Sequence, residues 1–115
     1  MRRAHNVPML YRFKSKAGAD VVMLGDSGND VLRLMGREPA PQGILEAAAL
    51  PGLIQALEAG VAADEAQFQQ AVDAAQAAGE PAPRRQGVSL RQRAWPLREL
   101  MQRSAKEGAD VVWGV

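Results

Sequence analysis

The pentapeptide Gly-Ala-Asp-Val-Val occurs twice, at residues 18–22 and 108–112 of a chain of 115 residues. In each copy the glycine permits a tight turn, the aspartate can accept hydrogen bonds within that turn, and the two valines favour a strand. The first copy follows a predicted strand, and the second follows a predicted helix. The repeat therefore predicts two turns that lead into two strands of one sheet, and it does not indicate a duplicated unit.

The residues around the repeats supply the strand pattern. Residues 9–14 place Met9, Tyr11 and Phe13 on one face of a strand and Arg12 and Lys14 on the other. Residues 21–24 are apolar without interruption, which is typical of a strand covered on both faces. A turn at residues 15–19 predicts that these two strands form an antiparallel hairpin. Residues 110–115 form the predicted closing strand.

Helical signals fill the middle of the chain. After a turn at residues 25–28, capped by Ser27 or Asn29, a short helix runs to Gly36. A further helical stretch begins near Ile44, and Pro51 begins a fresh helix. The final helix follows the capping-box residues Ser89 and Gln92, passes a kink or restart at Trp95-Pro96, and ends at Gly108.

These signals predict an α+β fold. An N-terminal β-hairpin and a C-terminal strand form one small sheet, packed by three or four helices. Residues 9–115 make a single domain, and residues 1–8 are expected to be a disordered tail or the result of a start codon assigned too early. Apolar spacing from Leu53 to Val72 extends one helix to about 42 Å if it runs unbroken to Ala78. Either it breaks near Gly60, or the alanine-rich segment at residues 61–87 projects from the body or frays.

The predicted sheet leaves one apolar face without cover. Helices on one side of three strands expose the other side to water, at a cost of roughly 25 cal/mol per Å² of apolar surface. We therefore expect self-association, or cover by the long alanine-rich helix.

Three segments of the chain resemble a known family. They are residues 9–21, which begin Met-Leu-Tyr-Arg-Phe-Lys-Ser, residues 88–97, which contain Leu-Arg-Gln-Arg-Ala-Trp-Pro-Leu, and residues 110–115, which contain Val-Val-Trp-Gly-Val. In these the chain resembles small uncharacterised proteobacterial proteins catalogued only as a domain of unknown function. The resemblance implies a single-domain cytoplasmic bacterial protein and supports Met9 as the usual start. It brings no activity, ligand or catalytic residue.

The segment Gly-Asp-Ser-Gly-Asn-Asp at residues 25–30 invites enzymatic interpretations. After a strand, Asp26 and Asp30 are similar to the magnesium ligands of haloacid-dehalogenase-type phosphatases. That chemistry needs an earlier Asp-x-Asp-x-Thr segment, and the chain contains no threonine. Gly-Asp-Ser-Gly also suggests a serine hydrolase, whose general base is a histidine. The one histidine, His5, precedes the domain, so a turn and a helix cap account for these residues better.

Other compositional limits point the same way. The chain has no cysteine, which excludes disulfides, zinc-thiolate sites and thiol nucleophiles. No run of about 20 apolar residues predicts a membrane span. A net charge of +1 gives no global attraction to nucleic acid or lipid. We therefore predict no catalytic residue and no cofactor, and we expect a cytoplasmic protein.

A weak metal-site hypothesis rests on the repeated aspartates. If Asp20 and Asp110 enter adjacent parallel strands at the same level, their carboxylates lie about 5 Å apart and can share a divalent ion. Asp26 is a further weak candidate for such a site. The alternative is that each aspartate satisfies its own turn.

The last helix carries the candidate interaction residues. Arg91, Arg93 and Arg98 gather cations on this helix; Arg91 and Arg98 fall on one face, and Arg93 points elsewhere. The ring of the nearby Trp95 can stack on a base or an aromatic ligand. The alternatives are a solvated helix face and an interface with another protein, which Arg and Trp often anchor. We expect a non-catalytic protein-interaction module that self-associates or binds an unknown protein. A small nucleic-acid- or anion-binding domain that uses this helix is the second hypothesis.

Overall fold

The computed structural model describes residues 8–85 and 87–115. Apart from Pro8, the prediction for the N-terminal tail lies outside these residues. The elements in chain order are β1 (Leu10–Ser15), β2 (Gly18–Leu24), α1 (Gly25–Leu34), β3 (Gly43–Leu45), a 3₁₀ turn (Ala47–Ala49), α2 (Leu50–Ala77), α3 (Leu90–Glu107) and β4 (Val111–Trp113). The strands form one sheet in the order β2-β1-β4-β3, and every neighbouring pair is antiparallel. The α+β prediction is therefore confirmed.

Strand β3 is an element that the sequence pattern missed. A helical stretch was predicted from Ile44, but Ile44 instead pairs with Val112 of β4. Gly43 lies opposite Trp113, and a Cβ atom at Gly43 would come within 2.3 Å of the indole ring. The short strand therefore depends on a distant tryptophan, which no local pattern reveals.

Helix α1 begins without the predicted turn. The backbone N–H of Gly25 donates to the carbonyl oxygen of Met9 at 2.7 Å, so β2 leads directly into the helix. Leu24 occupies the N-cap, and no side chain caps the helix. The predicted caps at Ser27 and Asn29 are therefore wrong, whereas Gly36, at φ 79°, follows the helix as predicted.

The hydrophobic core lies between the three helices and one face of the sheet. The ring of Phe13 lies 5.7 Å from those of both Tyr11 and Trp113, and all three side chains are buried. Leu57 of α2 and Leu97 of α3 are fully buried in the same cluster. Helices α1 and α3 pack against the face of the sheet that carries the aromatic residues, which we call the inner face, and α2 packs on these two helices.

Helix α2 is unbroken over 28 residues, which corresponds to about 42 Å. Its buried residues end at Val61, and the molecule measures 51 × 39 × 21 Å. The break predicted near Gly60 is therefore wrong, and the helix continues past its last buried residue.

Helix α3 follows its sequence signals closely. Ser89 and Gln92 form a reciprocal capping box, and Gly108 adopts a left-handed conformation at φ 69°. Pro96 lies inside the helix, which is assigned continuously from Leu90 to Glu107. The predicted restart at Pro96 is therefore wrong.

Candidate interaction surfaces

The two arginines around Trp95 are held by acids of the neighbouring helix. Arg91 donates two hydrogen bonds of 2.8 Å to the carboxylate of Glu65, and Arg98 donates one of 2.7 Å to Glu58. Both guanidinium groups also lie over the Trp95 ring, 4.6 and 4.5 Å from its centre. The predicted interaction residues are therefore brought together, but their charges face α2.

The charge of the sequence is uneven, since residues 61–83 hold four acids and no Lys or Arg, whereas residues 84–115 hold seven bases and three acids. Electrostatic pairing between the two segments accounts for part of this distribution. The hydrogen bond from Arg91 lowers the pKa of Glu65, and the hydrogen bond to Glu65 raises the pKa of Arg91. Arg85 adds a third link, since its Nη1 lies 3.0 Å from Asp64 Oδ2. The acidic stretch at residues 61–83 and the basic stretch that follows it pair with each other at these positions.

Arg93 points in another direction and joins α3 to α1. Its Nη1 donates to Ser27 Oγ at 3.2 Å and lies 3.6 Å from the Asp30 carboxylate. Ser27 is buried at this junction. A member of the predicted interaction set therefore has a structural position between two helices.

The remaining residues of the Gly-Asp-Ser-Gly-Asn-Asp segment hold α1 against β1. A Cβ atom at Gly28 would lie 2.0 Å from the ring of Tyr11, so only glycine allows this approach. The Tyr11 hydroxyl donates to Asn29 Oδ1 at 2.5 Å. Burial raises the pKa of Tyr11, and this outweighs the opposing effects of Arg33 and of the Ala40 backbone. Packing therefore accounts for the segment that resembled an enzyme motif.

The repeated aspartates do not meet. Strand β1 lies between β2 and β4, so the assumption of adjacent parallel strands is wrong, and the two strands lie about 10 Å apart. Asp20 lies 3.6 Å from Arg12, and Asp110 accepts a hydrogen bond of 2.8 Å from the backbone N–H of Ala47. Asp26 is exposed in the first turn of α1. Within residues 8–85 and 87–115, no three His, Cys, Asp or Glu side chains are grouped as metal ligands.

The second face of the sheet, which we call the outer face, was only partly foreseen. Because Leu10 pairs with Leu24 and Arg12 with Val22, these four side chains lie on one side of the β-hairpin. The exposed fractions are 55% for Leu10, 46% for Val22, 69% for Leu24 and 40% for Ile44. Strand β2 is therefore not covered on both faces as its apolar run predicted.

The charges of the outer face are predominantly basic. Arg12 and Lys14 of β1 lie on it with Asp20 of β2, and Lys16 is exposed in the adjoining turn. Val112, which pairs with Lys14 and Ile44, completes the surface. The three aromatic residues of the sheet all lie on the inner face. The outer face thus combines aliphatic side chains and cations without an aromatic ring on which a base could stack.

The projecting end of α2 forms a second surface. We call residues 66–80 the arm, because they follow Glu65, the last residue of α2 that is ion-paired to α3. Arg85 lies 4.4 Å over the ring of Phe68 and pairs with Asp64, so the chain returns alongside the helix. From the end of α2 back to the level of Phe68 and Asp64, residues 80–85 have to cover about 20 Å. Six residues reach that far only if their backbone is nearly extended. Pro81 and Pro83 favour such a backbone.

A surface cavity of about 580 Å³ lies between the β1–β2 turn and the end of α3 and is lined by Ser15, two lysines, Glu107 and Asp110 among others. The Ser15 hydroxyl lies 2.7 Å from the Ser104 hydroxyl, which itself donates to the carbonyl oxygen of Leu100. Since the proton of Ser104 is used in that bond, the Ser15 hydroxyl donates to Ser104 Oγ.

A sequence model of the family described as "Domain of unknown function (DUF1840)" matches residues 9–113. No curated protein and no solved structure matches the chain. Among the described residues, no helix combines the length and the apolar character that crossing a membrane requires.

Proposed function

Because the chain belongs to the DUF1840 family, whose description names no activity, we propose its function from its surfaces: a non-catalytic interaction module that self-associates through the outer face of its sheet. The supporting observation is the exposure of Leu10, Val22, Leu24 and Ile44 on a face that no helix within residues 8–85 and 87–115 covers. The proposal assigns this face, and not the arginines of α3, as the contact surface.

The magnitude of this burial sets the expected strength. Complete burial of an aliphatic side chain contributes about 1.5–3 kcal/mol. Each of the four side chains is about half exposed, so covering it contributes about 1 kcal/mol per side chain. Association costs about 4–15 kcal/mol in lost freedom and ordering. Aliphatic burial alone therefore supports only a weak dimer, and the charged side chains of the face must contribute as well.

Nucleic-acid or anion binding by α3 is the weaker alternative. A phosphate group would have to displace the carboxylates of Glu58 and Glu65 from Arg98 and Arg91. Trp95 would also have to release two guanidinium groups before a base could stack on it. Neither the net charge of +1 nor the local geometry favours that exchange.

The substitution Leu24→Asp tests the proposal. Leu24 is an N-cap residue with extended backbone angles, φ −62° and ψ 153°, at which aspartate is preferred. The substitution removes an exposed aliphatic side chain from the outer face without removing a core contact, so the monomer should stay folded. Val88→Asp is the matched control, because Val88 is also exposed but precedes α3.

Sedimentation velocity over a concentration series gives the readout. We expect the wild type and Val88→Asp to form a concentration-dependent dimer, and Leu24→Asp to raise the dissociation constant at least tenfold, which corresponds to about 1.4 kcal/mol. A dissociation constant of about 1 mM corresponds to a binding free energy of only about 4 kcal/mol. A wild type that remains monomeric up to that concentration would therefore refute self-association.

A further inference from the structure

We infer that the outer face of one copy receives the arm of a second copy, and that the two copies exchange arms reciprocally. This inference rests on the proposed function and specifies the partner surface. The arm is residues 66–80. It would bind to the surface of the other copy that is formed by Leu10, Val22, Leu24 and the flanking cations.

Charge complementarity supports this pairing. Within the arm, Asp73 and Glu80 are the charged residues, and both are exposed. Neither forms an ion pair with another described residue; Asp73 accepts a hydrogen bond from Gln69 at 3.0 Å. On the strands, the outer face offers Arg12 and Lys14 against Asp20. Lys16 lies beside them, and the two lysines line a cavity together with Glu107 and Asp110. The acids of the arm can pair with the cations of β1, which favours this contact.

Direct stacking of two outer faces is less favourable. It would bring Arg12 and Lys14 of β1 towards the same residues of a second copy, because β1 lies between two other strands near the middle of the sheet. Like charges that are desolvated together at short range oppose association. The arm brings charges of the opposite sign and therefore avoids this repulsion.

The arm is also a surface that gains from a partner. Its helical part, residues 66–77, has only Phe68, Val72 and Ala75 partly buried, and its other residues are exposed. The arm continues α2 beyond Val61, the last buried residue of that helix. Contact with a second copy would bury the exposed alanines of the arm together with the aliphatic side chains of the sheet.

The dimensions of the two surfaces agree. The helical part of the arm is about 18 Å long at about 1.5 Å per residue. The axes of four strands span about 14 Å at about 4.8 Å per spacing. The arm can therefore cross the whole sheet, and a two-fold exchange uses both contacts in a closed dimer.

A charge-swap experiment tests the exchange. The face variant carries Arg12→Glu and Lys14→Glu, and the arm variant carries Asp73→Lys and Glu80→Lys. Each variant alone opposes like charges at both contacts, so we expect each to dimerise at least tenfold more weakly than the wild type. Mixed together, the two variants restore opposite charges at both contacts, and we expect a heterodimer of wild-type strength in sedimentation velocity.

Controls keep the test informative. Lys106→Glu and Glu38→Lys change exposed charges outside both surfaces and should leave dimerisation unchanged. Circular dichroism confirms that each variant is folded, and the single substitutions Lys14→Glu and Asp73→Lys replace any double variant that is not. All four substitutions in one chain should restore the homodimer.

The possible outcomes separate the two claims. An arm variant that dimerises like the wild type, beside a face variant that dissociates, would overturn the exchange of arms and leave the proposed function in place. A mixture that stays monomeric would also overturn the exchange. A wild type that is monomeric throughout would overturn both claims.

Discussion

Arg93 donates a hydrogen bond of 3.2 Å to Ser27 Oγ, and this contact joins the two segments of the sequence that most resemble functional motifs. One is the Gly-Asp-Ser-Gly segment at the start of α1, and the other is the arginine-rich N-terminal half of α3. Their mutual contact gives both segments a role in holding α1 against α3. Both segments therefore have a structural role, and the outer face carries the proposed function.

Substitution of Arg93 should therefore reduce stability. Arg93→Met keeps the aliphatic stem but removes the donor to Ser27 and the charge near Asp30, and the Arg93 side chain is 32% exposed. We expect a loss of about 1–2 kcal/mol in the free energy of unfolding, measured by urea denaturation. Arg91→Met, which removes an exposed pair with Glu65, serves as the control and should have a smaller effect. Equal losses for the two variants would contradict the structural role of Arg93.

Gly28 should tolerate no side chain. In Gly28→Ala the new methyl group would overlap the Tyr11 ring, so we expect a net loss of about 2 kcal/mol despite the better helix propensity of alanine. Gly52→Ala is the matched control, since a Cβ atom there meets nothing within 4 Å. It should stabilise α2 by up to about 1 kcal/mol. Thermal unfolding of both variants, with shifts of opposite sign, checks this prediction.

The single tyrosine offers a direct test of burial. Because burial raises the pKa of Tyr11 above its ordinary value of 10.0, the folded protein should show delayed tyrosinate absorbance in an alkaline titration. The resulting stability is fully present below pH 10 and is lost as the pH rises through the folded-state pKa. Titration at the ordinary pKa while circular dichroism still reports a folded protein would contradict the burial of this hydroxyl.

The sequence predicted those parts of the fold that local signals specify. The capping box of Ser89 and Gln92, the stop at Gly108 and the β-hairpin all appear as predicted. Strand β3 could not be predicted, because Gly43 acquires its role only opposite Trp113. The turn expected at residues 25–28 is replaced by helix because Gly25 bonds to Met9, a contact between separate elements.

For the candidate surfaces, too, the sequence predicted the local arrangement but not the contacts between separate elements. Arg91, Arg98 and Trp95 come together as helical spacing predicts, but their neutralisation depends on how α2 packs against α3. The sequence already indicated that pairing, because the charged residues of segment 61–83 are all acidic and most of those in segment 84–115 are basic. The apolar run at residues 21–24 indicated that both faces of β2 need cover, but it did not show what would cover the second face, on which Leu24 is exposed.

Heparin chromatography tests the nucleic-acid alternative. Arg98 and Arg91 are hydrogen-bonded to the carboxylates of Glu58 and Glu65. We therefore expect the protein to be retained only weakly on heparin, and the double substitution Arg91→Ala and Arg98→Ala to leave this retention nearly unchanged. Strong retention that falls steeply with salt and is lost in this variant would favour phosphate binding by α3 instead.

The central claim is that the outer face of the sheet is a self-association surface, and the most direct measurement is sedimentation velocity of the wild type beside Leu24→Asp. The account predicts a concentration-dependent dimer for the wild type and a dissociation constant at least tenfold higher for the variant, with both proteins equally folded by circular dichroism. Identical sedimentation of the two proteins across the series would contradict it.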